Sequence, residues 1–114
     1  MADACLFCRI ASGEVPATVV RRDKGMVAFL DIAPKAPVHV LVIPERHVAS
    51  MAGVEGLTPD ERADMLAFIA AVAREQGLES TGYRVTANHG PDALQSVHHL
   101  HWHVMGGTPL SDTM

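Results

Sequence analysis

Ser96-Val97-His98-His99-Leu100-His101-Trp102-His103-Val104-Met105 is the stretch on which the fold turns. Histidines at 99, 101 and 103 alternate with apolar residues at 100, 102 and 104. A period of two marks a half-buried strand, because successive side chains of a strand point to opposite faces. The spacing predicts a strand over 98–105. Leu100, Trp102 and Val104 then pack under a helix, and His99, His101 and His103 form a row of imidazoles on the opposite face. Gly106-Gly107 ends the strand.

Four further strands and two helices follow from the flanking sequence. Residues 83–88 read as a strand, followed by a polar loop over 89–95 built on Gly90-Pro91-Asp92. Upstream, Thr58-Pro59-Asp60-Glu61 is a capping box with proline at the first helical position. Met65, Leu66, Phe68, Ile69, Val72 and Ala73 form its apolar stripe, and Gly77 supplies the stop. Residues 17–22 and 26–31 read as strands joined by the turn Asp23-Lys24-Gly25. Pro34 and Pro37 make 32–37 a loop. A β-branched run over 38–43 is another strand, ended by Pro44. A short helix over 6–11 is closed by Ser12-Gly13. Strands, one long helix, then strands make an α+β chain with an antiparallel five-stranded sheet and no required βαβ crossover.

Length and composition bound the rest. A chain of 114 residues is expected to form a single domain over 1–114. With 48% hydrophobic and 19% charged residues it can bury a core. Nine Lys and Arg against thirteen Asp and Glu give a net charge of -4. That excludes a nucleic-acid tract as main partner, because such affinity rests on clustered cations. One nucleotide held by backbone amides stays compatible. Met1-Ala2-Asp3-Ala4 has no basic leader, and the run Val40-Leu41-Val42-Ile43 falls far short of the ~18 apolar residues of a membrane span. The expectation is a soluble, cytoplasmic protein without membrane contact.

Two chemistries compete for the histidine row. Residues 99 and 103 of a strand stand about 13 Å apart. Zinc–nitrogen bonds are about 2.1 Å, so two neighbours can share an ion but three converge poorly. An elongated polyanion fits better. One imidazole can attack phosphorus while its neighbours hydrogen-bond the oxygens or the leaving group, and imidazole is substantially unprotonated near neutral pH. Cys5 and Cys8 form a C-x-x-C pair. It is half of a zinc site or a redox pair, and the residues alone leave both open.

His101-Trp102-His103-Val104-Met105, preceded by His99-Leu100, matches the pattern His-φ-His-φ-His-φ-φ, with φ apolar. The chain resembles the histidine triad (HIT) superfamily, in particular its Hint-like nucleotide-binding branch. Leu6-Phe7-Cys8-Arg9-Ile10, Phe29-Leu30-Asp31-Ile32-Ala33-Pro34, His39 to Pro44, Asn88, Gln95-Ser96-Val97 and Gly106-Gly107 fall on its landmarks. The resemblance implies a HIT-like fold whose sheet continues across a homodimer, with the long helices at the interface. It implies a purine mononucleotide such as AMP or GMP as ligand. His101 would be the nucleophile, forming a nucleotidyl-histidine that water hydrolyses. His103 would contact the α-phosphate, and His99 and His39 would support His101 and carry protons. Asp31 would accept the ribose hydroxyls, and Phe7, Phe29 and Ile32 would line the base pocket. Asn88 would lie near ribose and phosphate. Ser96 and the Val97 N–H would meet the phosphate or the departing group. No role is implied for His89 or His98.

The resemblance also brings in a metal. Many bacterial members have one zinc site at these positions, and the resemblance implies a structural Zn2+ held here by Cys5, Cys8, His47 and His99, a closed Cys2His2 set. The two roles of His99 then compete. The implied reaction is hydrolysis of a purine nucleoside phosphoramidate. Alternatives are hydrolysis of a dinucleoside polyphosphate or nucleotidyl anhydride, or nucleotide binding with little turnover. Leu94 stands where relatives often carry glycine, Trp102 is larger than usual, and the C-terminus is short. These departures bear on leaving-group selectivity.

Overall fold

A computed structural model of the chain describes residues 5–112. The reading of Met1-Ala2-Asp3-Ala4 lies outside them. The elements are α1 (Leu6–Ala11), β1 (Val19–Asp23), β2 (Met26–Leu30), β3 (Val38–Pro44), α2 (Pro59–Glu75), β4 (Tyr83–Ala87) and β5 (Trp102–Gly106), with 3-10 turns at Met51–Gly56 and Pro91–Ala93. The five strands form one antiparallel sheet in the order β1-β2-β3-β5-β4. The architecture is α+β, as the sequence predicts. No helix among the described residues is long and apolar enough to cross a membrane.

Local chemistry explains the boundaries. Lys24 and Gly25 both have positive φ, 49° and 78°, which suits a tight hairpin turn between twisted strands. At the start of α2 the Thr58 hydroxyl accepts from Glu61 N at 3.0 Å, and the Glu61 carboxylate accepts from Thr58 N at 2.8 Å. At its end Gly77 N donates to Arg74 O and Leu78 N to Ala73 O. That is a Schellman close, and it requires the left-handed φ of 76° that glycine adopts without cost.

Alternation along β2 and β3 divides the core between the two sheet faces. Met26, Ala28, Val40 and Val42 join Met65, Phe68, Ile69 and Val72 of α2. Val27, Phe29, Leu41 and Ile43 join Phe7, Ile10 and Ala11 from the α1 side. Buried on both faces, β3 reads as a continuous apolar run from Val40 onward, with His39 the one polar residue before it. Leu66, placed by the sequence on the apolar stripe of α2, is instead 59% exposed. At 100° per residue it sits just past the edge of the arc spanned by Phe68 and Ala73.

The histidine strand is shorter than predicted. Strand β5 begins at Trp102, not at His98, because its ladders to β3 and β4 both end there, at Val42 and Ala87. Before it the chain turns away, and Leu100 N donates to Val48 O at 2.6 Å. The alternation nevertheless persists without a ladder. Leu100 and Val104 are buried against α2 with Trp102 packed beside them, and His103 sits opposite Leu41 on the α1 face.

Candidate active site

Helix α1 covers only part of its sheet face. The uncovered part is a cavity of about 410 Å³, within the range of small-molecule sites. Its lining includes Phe7, Phe29, Asp31, Ile32, Ser96, Val97, His101 and His103. Those eight positions were singled out from the sequence. Asn88, also singled out, follows β4 half-buried and is not among the lining residues. Leu6, Ile10, Leu30 and Leu41 line the cavity as well. Two of them had a readable signal: Ile10 stands one helical turn from Phe7, and Leu41 shares strand parity with His39.

Hydrogen bonds assign the imidazole tautomers. His101 Nδ1 lies 2.7 Å from the carbonyl of His99, an acceptor only, so Nδ1 carries the proton and Nε2 the lone pair. The Phe7 ring stands edge-on at 5.1 Å from the His101 ring. The backbone N–H of Lys35 donates to His39 Nδ1 at 3.0 Å, which leaves the His39 proton on Nε2. That Nε2 lies 2.9 Å from His103 Nδ1, so His39 donates and the His103 proton is on Nε2. His101 and His103 therefore line one cavity in complementary states, a lone pair on one and an N–H on the other. Burial lowers the pKa of His103 to about 4, helped by the His101 and His39 charges. His39 is lowered too, by burial, with Asp31 opposing. Both rings are neutral near pH 7.

Asp31 does two things. Its Oδ1 accepts from Ala33 N at 2.8 Å, an Asx turn that shapes the 32–37 loop, and its Oδ2 lies 3.5 Å from His39 Nε2. Ile32 is fully exposed at the cavity edge.

A second cluster adjoins the first. The ligand atoms of Cys5, Cys8, His47 and His99 lie within 4.8 Å of one another. Cys5 Sγ and Cys8 Sγ are 3.3 and 3.4 Å from His99 Nδ1, and His47 Nδ1 is 3.3 Å from Cys8 Sγ and 3.2 Å from His99 Nδ1. Edges of a zinc tetrahedron with bonds of about 2.0 to 2.3 Å are about 3.3 to 3.8 Å. The tautomer of His99 fits as well. Its Nε2 donates to Pro44 O at 2.8 Å, so Nδ1 offers a lone pair to the cluster, the usual outer-shell arrangement of a metal-bound imidazole. Burial lowers the pKa of His99, which also favours the neutral ligand form. Asp31, His39 and His103 form another group of possible ligands. That group fails the same tautomer test: His39 Nδ1 is committed to the Lys35 N–H, so Nε2 carries a proton and is no ligand.

The competing roles of His99 separate by atom. Its ring faces the Cys/His cluster, and its carbonyl orients His101. His98 is exposed. His89, without a predicted role, meets the buried Ser50 hydroxyl at 2.7 Å through Nδ1.

A HIT domain family model matches residues 12–110. The 14 kDa zinc-binding protein of Zea mays is 40% identical over 112 residues, covering 93% of this chain and 84% of the maize protein. The purine nucleoside phosphoramidase of Escherichia coli K12 is 34% identical over 110 residues, covering 96% of this chain and 92% of that enzyme. Among solved structures, a HIT family hydrolase from Legionella pneumophila Philadelphia 1 superposes with a TM-score of 0.85 at 41% identity, over 94% of this chain and 96% of that one. With His101 and His103 lining one cavity, His99 directly behind them, and this likeness along nearly its whole length, the chain belongs to the HIT family.

Proposed function

We propose that the chain, acting as one domain over 1–114, hydrolyses purine nucleoside phosphoramidates, with a nucleotidyl-His101 intermediate. The observation that carries this reading is the His101 tautomer. Its Nδ1–H is held by the His99 carbonyl, so the lone pair of Nε2 is free for attack. The similar Escherichia coli protein named as a purine nucleoside phosphoramidase supports the substrate class.

The residues suit the steps. Phe7, Phe29 and Ile32 cover the purine, Asp31 accepts ribose hydroxyls, and Asn88 stands beyond them as a weaker candidate for the ribose-phosphate region. His101 Nε2 attacks the α-phosphorus and the P–N bond breaks, the nitrogen keeping the bond pair and taking a proton from solvent as the amine leaves. His103 Nε2–H donates to a non-bridging oxygen, where negative charge grows. Ser96 and the Val97 N–H receive the departing group. Water then cleaves the P–Nε2 bond, releases AMP or GMP and restores His101. His39 holds His103 in its donor tautomer. Zn2+ held by Cys5, Cys8, His47 and His99 would have no open position and would serve structure, tying α1 to the sheet. The reading also includes a cytoplasmic homodimer.

Turnover of an adenosine phosphoramidate and of diadenosine polyphosphates, measured side by side, ranks the two hydrolytic readings. The phosphoramidate should turn over faster, because a protonated amine leaves with little assistance. His101→Ala should lose at least about 1000-fold in kcat. Equal turnover by that variant would sink the mechanism. AMP binding without any turnover would favour a regulatory nucleotide-binding protein.

A further inference from the structure

We propose that Gln95 is the positioning residue of the phosphate-side loop: its side-chain amide clamps residues 90–97 so that Ser96 and Val97 meet the departing group. The proposal rests on the nucleotide-hydrolase reading above.

The loop carries little regular structure, and only its end is packed, through Val97 against the α1-side core. Between β4 and β5 its regular structure is one 3-10 turn, Pro91–Ala93. Leu94, next in line, has φ 61° and ψ 38°, a left-handed conformation that is unfavourable for a leucine. Leu94 is 83% exposed, so packing does not offset that cost.

Gln95 supplies the restraint. Its Oε1 accepts from Gly90 N at 3.0 Å, and its backbone N donates to Gly90 O at 3.1 Å. Both backbone polar groups of Gly90 thus end on one residue, and the loop is closed at its base. The Nε2 donates to Ala49 O at 2.8 Å and to Val97 O at 3.0 Å. One bond ties the loop to the segment after β3. The other reaches forward over Ser96. The amide orientation is unambiguous, since an N–H faces the oxygen and two carbonyls face the nitrogen. Ser96 and Val97, the residues bracketed by these bonds, line the cavity.

The consequence is kinetic. Base and ribose are held by α1, β2 and the 31–33 turn, which Gln95 does not touch. The departing group is met by the clamped loop. Loss of the clamp should therefore slow transfer while leaving mononucleotide affinity nearly intact. A misplacement of about 1 Å can cost about 100-fold in rate.

Gln95→Glu keeps the shape, removes both donors and sets a carboxylate against two carbonyls. Gln95→Met, uncharged and of similar length, serves if that variant does not fold. Ser50→Ala is the stability control. It removes the neighbouring Ser50–His89 contact and leaves the Gln95 bonds in place. Steady-state kinetics with adenosine phosphoramidate, AMP calorimetry and melting temperatures are measured on all of them. The expected result is a fall in kcat of about 100-fold for the Gln95 variants with AMP Kd within about threefold, while Ser50→Ala lowers the melting temperature but keeps kcat. A kcat within about threefold of the natural protein, or an equal loss in AMP affinity, overturns the proposal. A natural protein that neither binds AMP nor turns over overturns the nucleotide reading itself, and the proposal with it.

Discussion

His99, His101 and His103 alternate in sequence, yet the fold gives each a different hydrogen-bonding state. Backbone groups make the difference: Pro44 O for His99, His99 O for His101, and the Lys35 N–H acting through His39 for His103. The alternation was legible in the sequence. The tautomers were not, because their partners come from residues brought close only by folding. The same burial makes stability depend on pH. His103 drops from 6.5 to about 4 in the folded state, and His39 is lowered as well. Between those values the unfolded chain binds protons that the folded chain does not, so stability is complete above about pH 6.5 and is lost as pH falls toward about 4. Each such ring contributes up to about 1.4 kcal/mol per pH unit across its window. Melting temperatures recorded from pH 8 to 4 should fall on the acid side, and His103→Gln should flatten part of that limb. An unchanged limb in the variant would contradict the assignment.

At the scale of elements, α1 does two jobs with six residues. Cys8 within it and Cys5 at its N-cap belong to the Cys/His cluster that could hold a metal, while Leu6, Phe7 and Ile10 wall the cavity. A helix this short is not stable by itself. Its position depends on what ties it down, so metal and nucleotide should support each other. Chelating the metal is expected to lower the melting temperature and to weaken AMP affinity about tenfold, a coupling of about 1.4 kcal/mol. His47 is exposed and outside the cavity, so His47→Ala should weaken AMP binding only while metal is present. Calorimetry with and without zinc reads both effects, and equal AMP affinities would remove the coupling. Element boundaries were legible where chemistry is local. The 6–11 helix, the Thr58 cap and the Gly77 stop stand where the sequence puts them. The start of β5 was not, because strand ends depend on where the neighbouring strands stop. The role of Gln95 left no trace in periodicity, since its side chain bonds backbone groups of its own loop and of Ala49, a residue brought close only by folding.

For the whole molecule, the two-sided sheet creates the candidate site. One face is filled by α2, the other is only half covered by α1, and the remaining space is the site. Parity along β3 and β5 made this division readable, with His39, Leu41 and His103 on the open side. The opposite edge strand, β4, carries Tyr83 at 40% exposure, and Leu66 stands exposed on α2. Those features suit a sheet continued into a second copy. Light scattering at micromolar concentration should give twice the chain mass of 12.2 kDa, and a persistent 12.2 kDa species would contradict the dimer.

The proposed mechanism depends on covalent nucleotidylation of His101. The direct measurement is peptide mass spectrometry after brief exposure to an adenosine phosphoramidate and rapid quenching. One added AMP moiety is expected on the peptide containing His101, absent from His101→Ala. Substrate consumed with the adduct on another residue, or with His101→Ala turning over at the natural rate, would contradict it.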